Sequence, residues 1–365
     1  MSSSLAHTVG AAERVAAGPH ARGARMRVGG VALANPETSL SQEDVLGLLG
    51  LRGDEFAERI FARCGVRRRR LELSPKLLRT SLQERTKGTE EQLLGLSVRA
   101  VDGLGLDPRE VGTVITATYY SLGGPTLAHR IVDHYGMDPA TDKYHVLGVG
   151  CASAVPLFKL AAQTLRDQPG KKGLVVAADS ITGFLTGVAP DDGKSKVVGS
   201  ALFGDGCAAA VLTTEEDPGG DEPVVVSSKV HQVGGTLDAV RFMLEAEDSF
   251  MHIARELPAI AEGSLRRLVD DFLGESGVTA PAIDHWLVHP GGRGIIEGVQ
   301  RGLSLTDEDV AISYDVLADY GNMGTPSTLY VLKQTQDRRR PSPGELGLMV
   351  TIGPGVTIGL ALLQW

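Results

Sequence analysis

The chain has 365 residues, of which 42% are hydrophobic and 22% are charged, and its formal net charge at pH 7 is −9. This composition is typical of a folded protein with a sizeable core, and it excludes disorder, collagen and coiled coil as descriptions of the whole chain. The acidic balance argues against nucleic acid as the main partner, because phosphate binding needs a basic surface. An anionic substrate would therefore require positive charge concentrated at one place.

In the first half of the body, residues 26–220, apolar β-rich runs alternate with segments of helical periodicity. The elements predicted there are a strand at Arg27–Ala34, a helix from Ser41 to Leu51, a helix at Gly88–Leu104, a strand at Val111–Thr118, a helix at Thr126–Tyr135, a strand at Tyr144–Val149, a helix at Ala154–Arg166 and a strand at Gly173–Ala178. Continuously apolar strands alternating with helices predict an α/β fold with a largely parallel, covered sheet.

A boundary is predicted at Asp217–Pro223, where Pro, Gly and acidic residues have the composition of a loop. The elements predicted in the second half, residues 221–365, are a strand at Val224–Val230, helices between Leu257 and Phe272, a strand at His285–Val288, helices at Gly294–Gly302 and Thr325–Gln336, and strands at Gly347–Ile352 and Val356–Leu363. Two similar halves predict an internally duplicated architecture, inferred from the order of the elements.

The N-terminal residues and the number of cysteines indicate where in the cell the protein is expected. Residues 1–25 contain no continuous apolar segment of the kind found in secretory signals, and we expect them to form a mobile tail. No run approaches the ~18 apolar residues of a membrane span. Three cysteines are too few for a disulfide framework, so we expect a reducing, cytoplasmic location and consider each thiol separately.

One cysteine lies between a predicted strand and a predicted helix. In Gly148–Ala154, Cys151 has glycine before it and small residues after it. This context favours a sharp turn that places the sulfur near a helix N-terminus, where free N–H groups favour a thiolate. A buried structural thiol is the alternative. Cys64 and Cys207 lack this setting and are predicted to be structural.

A histidine and an asparagine complete a possible reactive set. His289 follows a predicted strand and precedes Pro290-Gly291-Gly292, a position suited to a general base. Asn322 lies in the glycine-flanked turn Tyr320–Gly324, ahead of a predicted helix. Each has an ordinary structural explanation alone, but the three together supply a nucleophile, a base and an oxyanion donor.

Five stretches resemble the type III polyketide synthases, the chalcone synthase-like family with the thiolase fold. They occur in the family's order and are Gly150-Cys151, Ala201-Leu202-Phe203-Gly204-Asp205-Gly206, Trp286-Leu287-Val288-His289-Pro290-Gly291-Gly292, Tyr320-Gly321-Asn322-Met323 and Gly353-Pro354-Gly355-Val356-Thr357. The segment His285–His289 and the final residues 361–365 are similar to the bacterial branch that makes dihydroxyphenylacetyl-CoA.

The resemblance implies a thiolase-like duplicated αβαβα layered fold and an acyltransferase that acts as a cytoplasmic homodimer. It implies that Cys151 carries the acyl chain, with His289 and Asn322 as its partners. Phe203 and Phe250 match the family's gatekeeping aromatic positions, with core packing as the alternative. Leu185, Gly324 and the loop Gly353-Pro354-Gly355 match positions that line the growth cavity.

The implied reaction is iterative decarboxylative condensation of malonyl-CoA onto a starter taken from acyl-CoA or malonyl-CoA, with aromatic or pyrone products and no cofactor. The phosphates of coenzyme A call for a basic entrance, and the best candidate is the run Arg67-Arg68-Arg69-Arg70 with Arg63 one turn earlier. The alternative for these arginines is a solvated charged face.

Several departures prevent the plant product from being carried over. Gly324-Thr325-Pro326 replaces the common Ser-Ser-Ala, and Leu185 stands where plant members often have threonine. A ketoacyl synthase III that uses acyl carrier protein is the alternative function. Its histidine usually stands before Gln-Ala-Asn, whereas here Pro-Gly-Gly follows. A hydroxymethylglutaryl-CoA synthase, a papain-like protease and an inactive partner subunit fit the sequence less well.

Overall fold

The computed structural model describes residues 26–120, 123–185, 193–214, 222–244 and 249–365; for residues 82, 243, 244 and 249–251 it describes the backbone alone. The predicted tail, residues 1–25, lies outside the described residues, and so does most of the predicted boundary, residues 217–221. Strands from both sides of that boundary belong to the same sheet.

A sheet of nine strands runs through the described part of the chain, in the order β11-β12-β13-β8-β1-β7-β6-β4-β5. The strands are β1 (Met26–Ala34), β2 (Ser39–Ser41), β3 (Arg68–Arg70), β4 (Val111–Thr118), β5 (Asp142–Leu147), β6 (Lys172–Asp179), β7 (Gly206–Thr214), β8 (Val224–Gln232), β9 (Val240–Leu244), β10 (Ser249–Ile253), β11 (His285–Val288), β12 (Leu346–Gly353) and β13 (Thr357–Gln364). The pairs β2–β3 and β9–β10 form two small sheets of their own.

The sheet is mixed, so the expectation of a largely parallel sheet is wrong. Parallel pairing joins β4 to β5, β4 to β6 and β11 to β12, whereas β7 and β13 run antiparallel to both of their neighbours. The prediction relied on continuously apolar strands such as Val111–Thr118, which is buried at every position. Such a run indicates that both faces of the strand are covered, but it does not indicate the direction of the strand. In this protein helices cover antiparallel strands as well.

Helices within the described residues lie on both faces of the sheet. They are α1 (Gln42–Leu48), α2 (Glu55–Arg63), α3 (Leu82–Asp102), α4 (Leu127–His134), α5 (Ala154–Thr164), α6 (Lys194–Leu202), α7 (Leu257–Gly274), α8 (Arg293–Leu303), α9 (Ala311–Tyr320) and α10 (Ser327–Arg339). No helix in the described part of the chain is long and apolar enough to cross a membrane. The ends agree with local signals; Ser41, for example, caps α1 in a capping box with Asp44.

Two central helices connect the halves of the chain. Helix α5 packs on β4 and β6 from the first half and on β8 and β13 from the second, while α10 packs on β1, β7 and β11. Both are rich in buried apolar residues, because each has strands on more than one side. The turns that precede α5 and α10 therefore meet in the interior of the molecule, and these two turns carry Cys151 and Asn322.

Candidate active site

A cavity of about 1140 Å³ opens at the surface and reaches Cys151, His289 and Asn322. At its inner end the reactive groups are accompanied by the buried residues Leu202, Phe203 and Ile352. Its walls come from α2, α6, the segment before α7, the start of α8 and the end of β12. The three residues predicted to act together are thus brought to one place.

Cys151 lies in a single 3-10 turn, Gly150–Ala152, directly before α5. The turn requires glycine, because Gly148 and Gly150 have φ angles of +81° and +54°. At Gly150 there is also no room for a side chain, since a Cβ would lie 2.8 Å from the ring of Tyr119. This tight turn holds the half-buried thiol at the beginning of the helix.

The backbone and side chain of Asn322 are both held in place. Its N–H donates to the carbonyl of Leu202 over 2.9 Å, and its carbonyl accepts from the N–H of Gly204 over 3.0 Å. The side-chain Oδ1 accepts from the N–H of Gly324 at 2.9 Å, which fixes the orientation of the amide. Nδ2 donates to the carbonyl of Gly291 at 3.3 Å, so it lies beside the turn that follows His289.

His289 follows β11 and is 2% exposed. Its backbone N–H donates to Val350 of the neighbouring strand, and its Nδ1 lies 3.4 Å from the hydroxyl of Thr328 on α10. His285, at the other end of β11, instead pairs with Glu345 at 2.8 Å. The structure therefore places His289 at the thiol's cavity and His285 outside it.

Burial favours the neutral forms of both reactive groups. It raises the pKa of the Cys151 thiol to about 12, and the neutral thiol donates a hydrogen bond to Asn322 Oδ1 at 3.6 Å. It also lowers the pKa of His289 to about 3. A thiolate here is therefore favoured when an imidazolium forms with it, because their mutual attraction compensates for part of the lost solvation.

Comparisons with known proteins agree with this geometry. Residues 36–270 match the family described as FAE1/Type III polyketide synthase-like protein. Residues 225–364 match the C-terminal domain of chalcone and stilbene synthases. The chain belongs to the type III polyketide synthase family. The family resemblance seen in the sequence is confirmed, and with it an enzyme of the acyltransferase type.

Bacterial relatives lie within the same family. The chain is 28% identical to the 3,5-dihydroxyphenylacetyl-CoA synthase of Streptomyces toyocaensis, over 93% of this chain and 90% of that one. It is 32% identical to the alpha-pyrone synthesis polyketide synthase-like Pks18 of Mycobacterium tuberculosis, over 72% and 67%. The crystal structure of PKS-I from the brown alga Ectocarpus siliculosus superposes with a TM-score of 0.86 at 24% identity, covering 94% and 99%. The thiolase-like fold is confirmed.

The position of Arg69 in this polyketide synthase is inconsistent with its predicted contact to coenzyme A. Arg69 is in β3, and alternation along that strand turns its side chain inward, where it is 0% exposed. Its guanidinium donates to the carbonyls of Ser200 and Phe203 at 2.6 and 2.8 Å, and to Gln42 at 2.8 Å. Arg69 thus supports the segment that contacts Asn322.

The other residues of the arginine run also lie apart from the cavity's described lining. Arg67 and Arg68 face Asp319, at 3.0 and 3.8 Å, and Arg70 donates to the carbonyl of Glu37. Arg63, at the end of α2, does line the cavity and is exposed. In the sequence the four arginines look like one charge cluster, because a strand of three residues has too short a pattern to detect.

Three further exposed cations line the same outer part of the cavity: Lys194, Arg255 and Arg293. The only acidic group among the described lining residues is Glu297, which pairs with Arg293 at 2.8 Å. Arg293 directly follows Gly291-Gly292, so its place beside the recognised motif could have revealed it. Lys194 and Arg255 had no such signal in the sequence.

The remaining predicted pocket residues are distributed differently. Phe203 and Gly353 line the cavity, and Pro354 and Gly355 follow in the turn between β12 and β13. Leu185 is buried in the core and is not part of this cavity's described lining. The backbone of Phe250 belongs to β10, but its side chain lies outside the described residues.

An aromatic group beside the nucleophile was not predicted from the sequence. Tyr119 packs edge-on against Tyr120 and Phe242, with ring centroids 5.7 and 5.2 Å apart, and Tyr120 stacks on Phe184 at 4.5 Å. The dipeptide Tyr119-Tyr120 at the end of β4 was the available signal. The buried carboxylate of Asp179 was missed as well, because a single aspartate at the end of an apolar strand matches no motif.

Proposed function

We propose that the chain catalyses iterative decarboxylative condensation of malonyl-CoA onto an acyl starter bound to Cys151. The starter comes from an acyl-CoA or from malonyl-CoA, and the product is released as an aromatic or pyrone polyketide. One observation carries the proposal: a thiol, an imidazole and an oriented amide line a single cavity whose outer part is cationic. No step of this reaction requires a metal or a redox cofactor.

Loading begins when His289 takes the proton of Cys151. The resulting thiolate and imidazolium attract each other, and the N-terminus of α5 favours the thiolate further. The thiolate attacks the starter's carbonyl carbon, and a new carbon–sulfur bond forms. When the tetrahedral intermediate collapses, the bond to coenzyme A breaks and the departing thiolate receives the proton from His289.

Decarboxylation uses the two N–H donors that face the cavity. Oδ1 of Asn322 already accepts a hydrogen bond from the N–H of Gly324. The amide group Nδ2 is therefore the part of the side chain that donates to the substrate. When the hydroxyl of Thr328 donates to Nδ1 of the neutral His289, the proton of the imidazole is on Nε2. Both donors then stabilise the enolate oxygen as carbon dioxide leaves malonyl-CoA, and the enolate carbon attacks the acyl group on Cys151.

Recognition of coenzyme A falls to the outer part of the cavity. The exposed cations Arg63, Lys194, Arg255 and Arg293 provide donors for phosphate groups. Concentrated there, they let a protein of net charge −9 attract a polyanion. These four residues replace the arginine run as the proposed entrance.

A homodimer would cover the edge strand β5. Its side chains are only partly buried, and Tyr144 and Leu147 are 37% and 45% exposed. Nε2 of His145 on the same strand is buried without a hydrogen-bond partner in the described structure. An unprotected edge with apolar side chains favours pairing with a second copy. The free cysteines are consistent with a reducing, cytoplasmic compartment.

The decisive experiment supplies the purified protein with malonyl-CoA alone, then with a panel of acyl-CoA starters, and identifies products by mass spectrometry. We expect release of carbon dioxide, an acyl adduct on Cys151, and polyketide products. The names of the relatives suggest two product classes to seek, an aryl-acetyl-CoA and an α-pyrone. Consumption of malonyl-ACP but not malonyl-CoA would instead establish the ketoacyl synthase alternative.

A further inference from the structure

The carboxylate of Asp179 lies at the inner end of β6, and the residue is 1% exposed. Among the described residues it is one of the few charged groups buried this deeply, and none of the catalytic steps above uses it. Desolvation raises its pKa to about 6. A carboxylate that is kept in the interior at such cost needs strong hydrogen bonds to remain ionised at neutral pH.

Those hydrogen bonds come from two separate segments of the chain. Oδ1 accepts from the hydroxyl of Thr118 at 2.9 Å and from the backbone N–H of Tyr119 at 2.6 Å, both at the end of β4. Oδ2 accepts from the backbone N–H of Thr325 at 2.7 Å. The carboxylate therefore connects the strand beside the nucleophile's turn to the turn that contains Asn322.

The second turn is shaped to receive this carboxylate. Gly324 has a φ angle of +69°, and a Cβ at that position would lie 2.4 Å from Oδ2 of Asp179. With no side chain in the way, the carboxylate reaches Thr325. The N–H of Gly324 then points at Oδ1 of Asn322, at 2.9 Å.

We propose that Asp179 is a positioning residue that holds the Asn322 amide with Nδ2 directed at the substrate. The carboxylate fixes Thr325, Thr325 fixes the glycine before it, and the N–H of that glycine, with the hydroxyl of Ser327 at 3.3 Å, selects Oδ1 of Asn322. The proposal rests on the proposed function, because it assigns Asn322 the role of oxyanion donor. Asp179 itself does not touch the reacting atoms.

The charge of Asp179 has a second, opposite consequence. Together with burial, it raises the pKa of the Cys151 thiol. Removal of the charge should therefore make the thiol easier to ionise, even as removal of the hydrogen bonds disturbs Asn322. General damage to the inner cavity would weaken both functions, so the two signs separate a positioning role from a merely structural one.

The test is Asp179→Asn in the full-length protein. In either orientation, the new amide places an NH₂ group against a backbone N–H, of Thr325 or of Tyr119. We expect the rate of malonyl-CoA decarboxylation to fall about 10- to 100-fold, somewhat less than for removal of an oxyanion donor itself. Alkylation of Cys151 by iodoacetamide at pH 7.5, followed by peptide mass spectrometry, should become about threefold faster or more.

Two variants make the result interpretable. Thr118→Val removes one neutral hydrogen bond from the same carboxylate and should change decarboxylation less than threefold, since both backbone donors remain. Asn322→Ala reports whether the amide matters at all. If Asn322→Ala abolishes decarboxylation while Asp179→Asn leaves it intact, or if Asp179→Asn slows alkylation as well, the positioning role is refuted. If Asn322→Ala has no effect, the proposed function fails first.

Discussion

The inner and outer ends of the cavity solve different problems. At the inner end, His289 and Asn322 are buried, and His289 is held by a hydrogen bond to helix α10 and Asn322 by one to the turn after His289. At the outer end, Lys194 and Arg255 are exposed. Reactive groups need fixed geometry and a site without water, whereas attraction of a polyanion needs only charge near the entrance. Substitutions at the two ends should therefore change different kinetic constants.

The largest effect is expected at the nucleophile. Cys151→Ala should eliminate the acyl-enzyme and reduce polyketide formation by about 10⁴-fold or more, because no other group can carry the chain. Intact-protein mass spectrometry after incubation with an acyl-CoA detects the adduct. Cys207→Ala provides the matched control, because burial raises that thiol's pKa to about 12 too, yet it lies in β7 away from the cavity. An adduct that persists in Cys151→Ala would contradict the assignment.

Loss of the imidazole should follow in size. We expect His289→Ala to slow malonyl-CoA decarboxylation about 10²- to 10³-fold, as for other oxyanion donors. The variant should also need a higher pH for alkylation of Cys151. Burial alone raises the thiol's pKa, and without His289 no imidazolium remains to lower it. An unchanged pH profile of iodoacetamide alkylation would show that the pair does not share a proton.

A third prediction concerns two neighbouring arginines with opposite environments. Arg69→Met should lower the free energy of unfolding by about 3 kcal/mol, because the buried carbonyls of Ser200 and Phe203 lose their donor. Arg67→Met, on the surface, should change it by about 0.5 kcal/mol or less. Urea denaturation measures both. If Arg69 contacted coenzyme A instead, its replacement would raise KM and leave stability unchanged.

The smallest effect belongs to the outer end. The double variant Lys194→Ala/Arg255→Ala should raise KM for malonyl-CoA about 10-fold while kcat changes less than twofold, since both charges act on binding alone. The difference should shrink as salt is added. Arg338→Ala, which removes a cation paired with Asp315 elsewhere on the surface, is the control. A fall in kcat would mean that the two ends are not separable.

Much of this architecture could be predicted from local patterns. Strand β11 was predicted with its observed ends at His285 and Val288. The turns around Cys151 and Asn322 were predicted from the glycines beside them. Helices α6 and α9 and strands β2, β3, β9 and β10 were not predicted. A three-residue strand such as β3 has too short a pattern to detect, and its pairing partner, β2, is separated from it by two helices.

The orientation of side chains was less accessible than the elements. The four consecutive arginines look equivalent in the sequence, yet the pairing of β3 with β2 leaves only Arg69 buried among them. The direction of the strands could not be predicted from the sequence either, because helices cover parallel and antiparallel strands alike and both kinds are continuously apolar. The cationic residues that line the cavity come from four different helices or their ends, and only the tertiary fold brings them together.

The contact between Gly324 and Asp179 limits how this active site can diverge. No side chain fits at position 324 while a carboxylate occupies the space beside it, so neither position can change freely without the other. A relative with serine at the position of Gly324 would need a smaller residue at the position of Asp179. It would also need a different donor to hold the asparagine that corresponds to Asn322. Engineering of the product spectrum here would have to exchange the two residues as a pair.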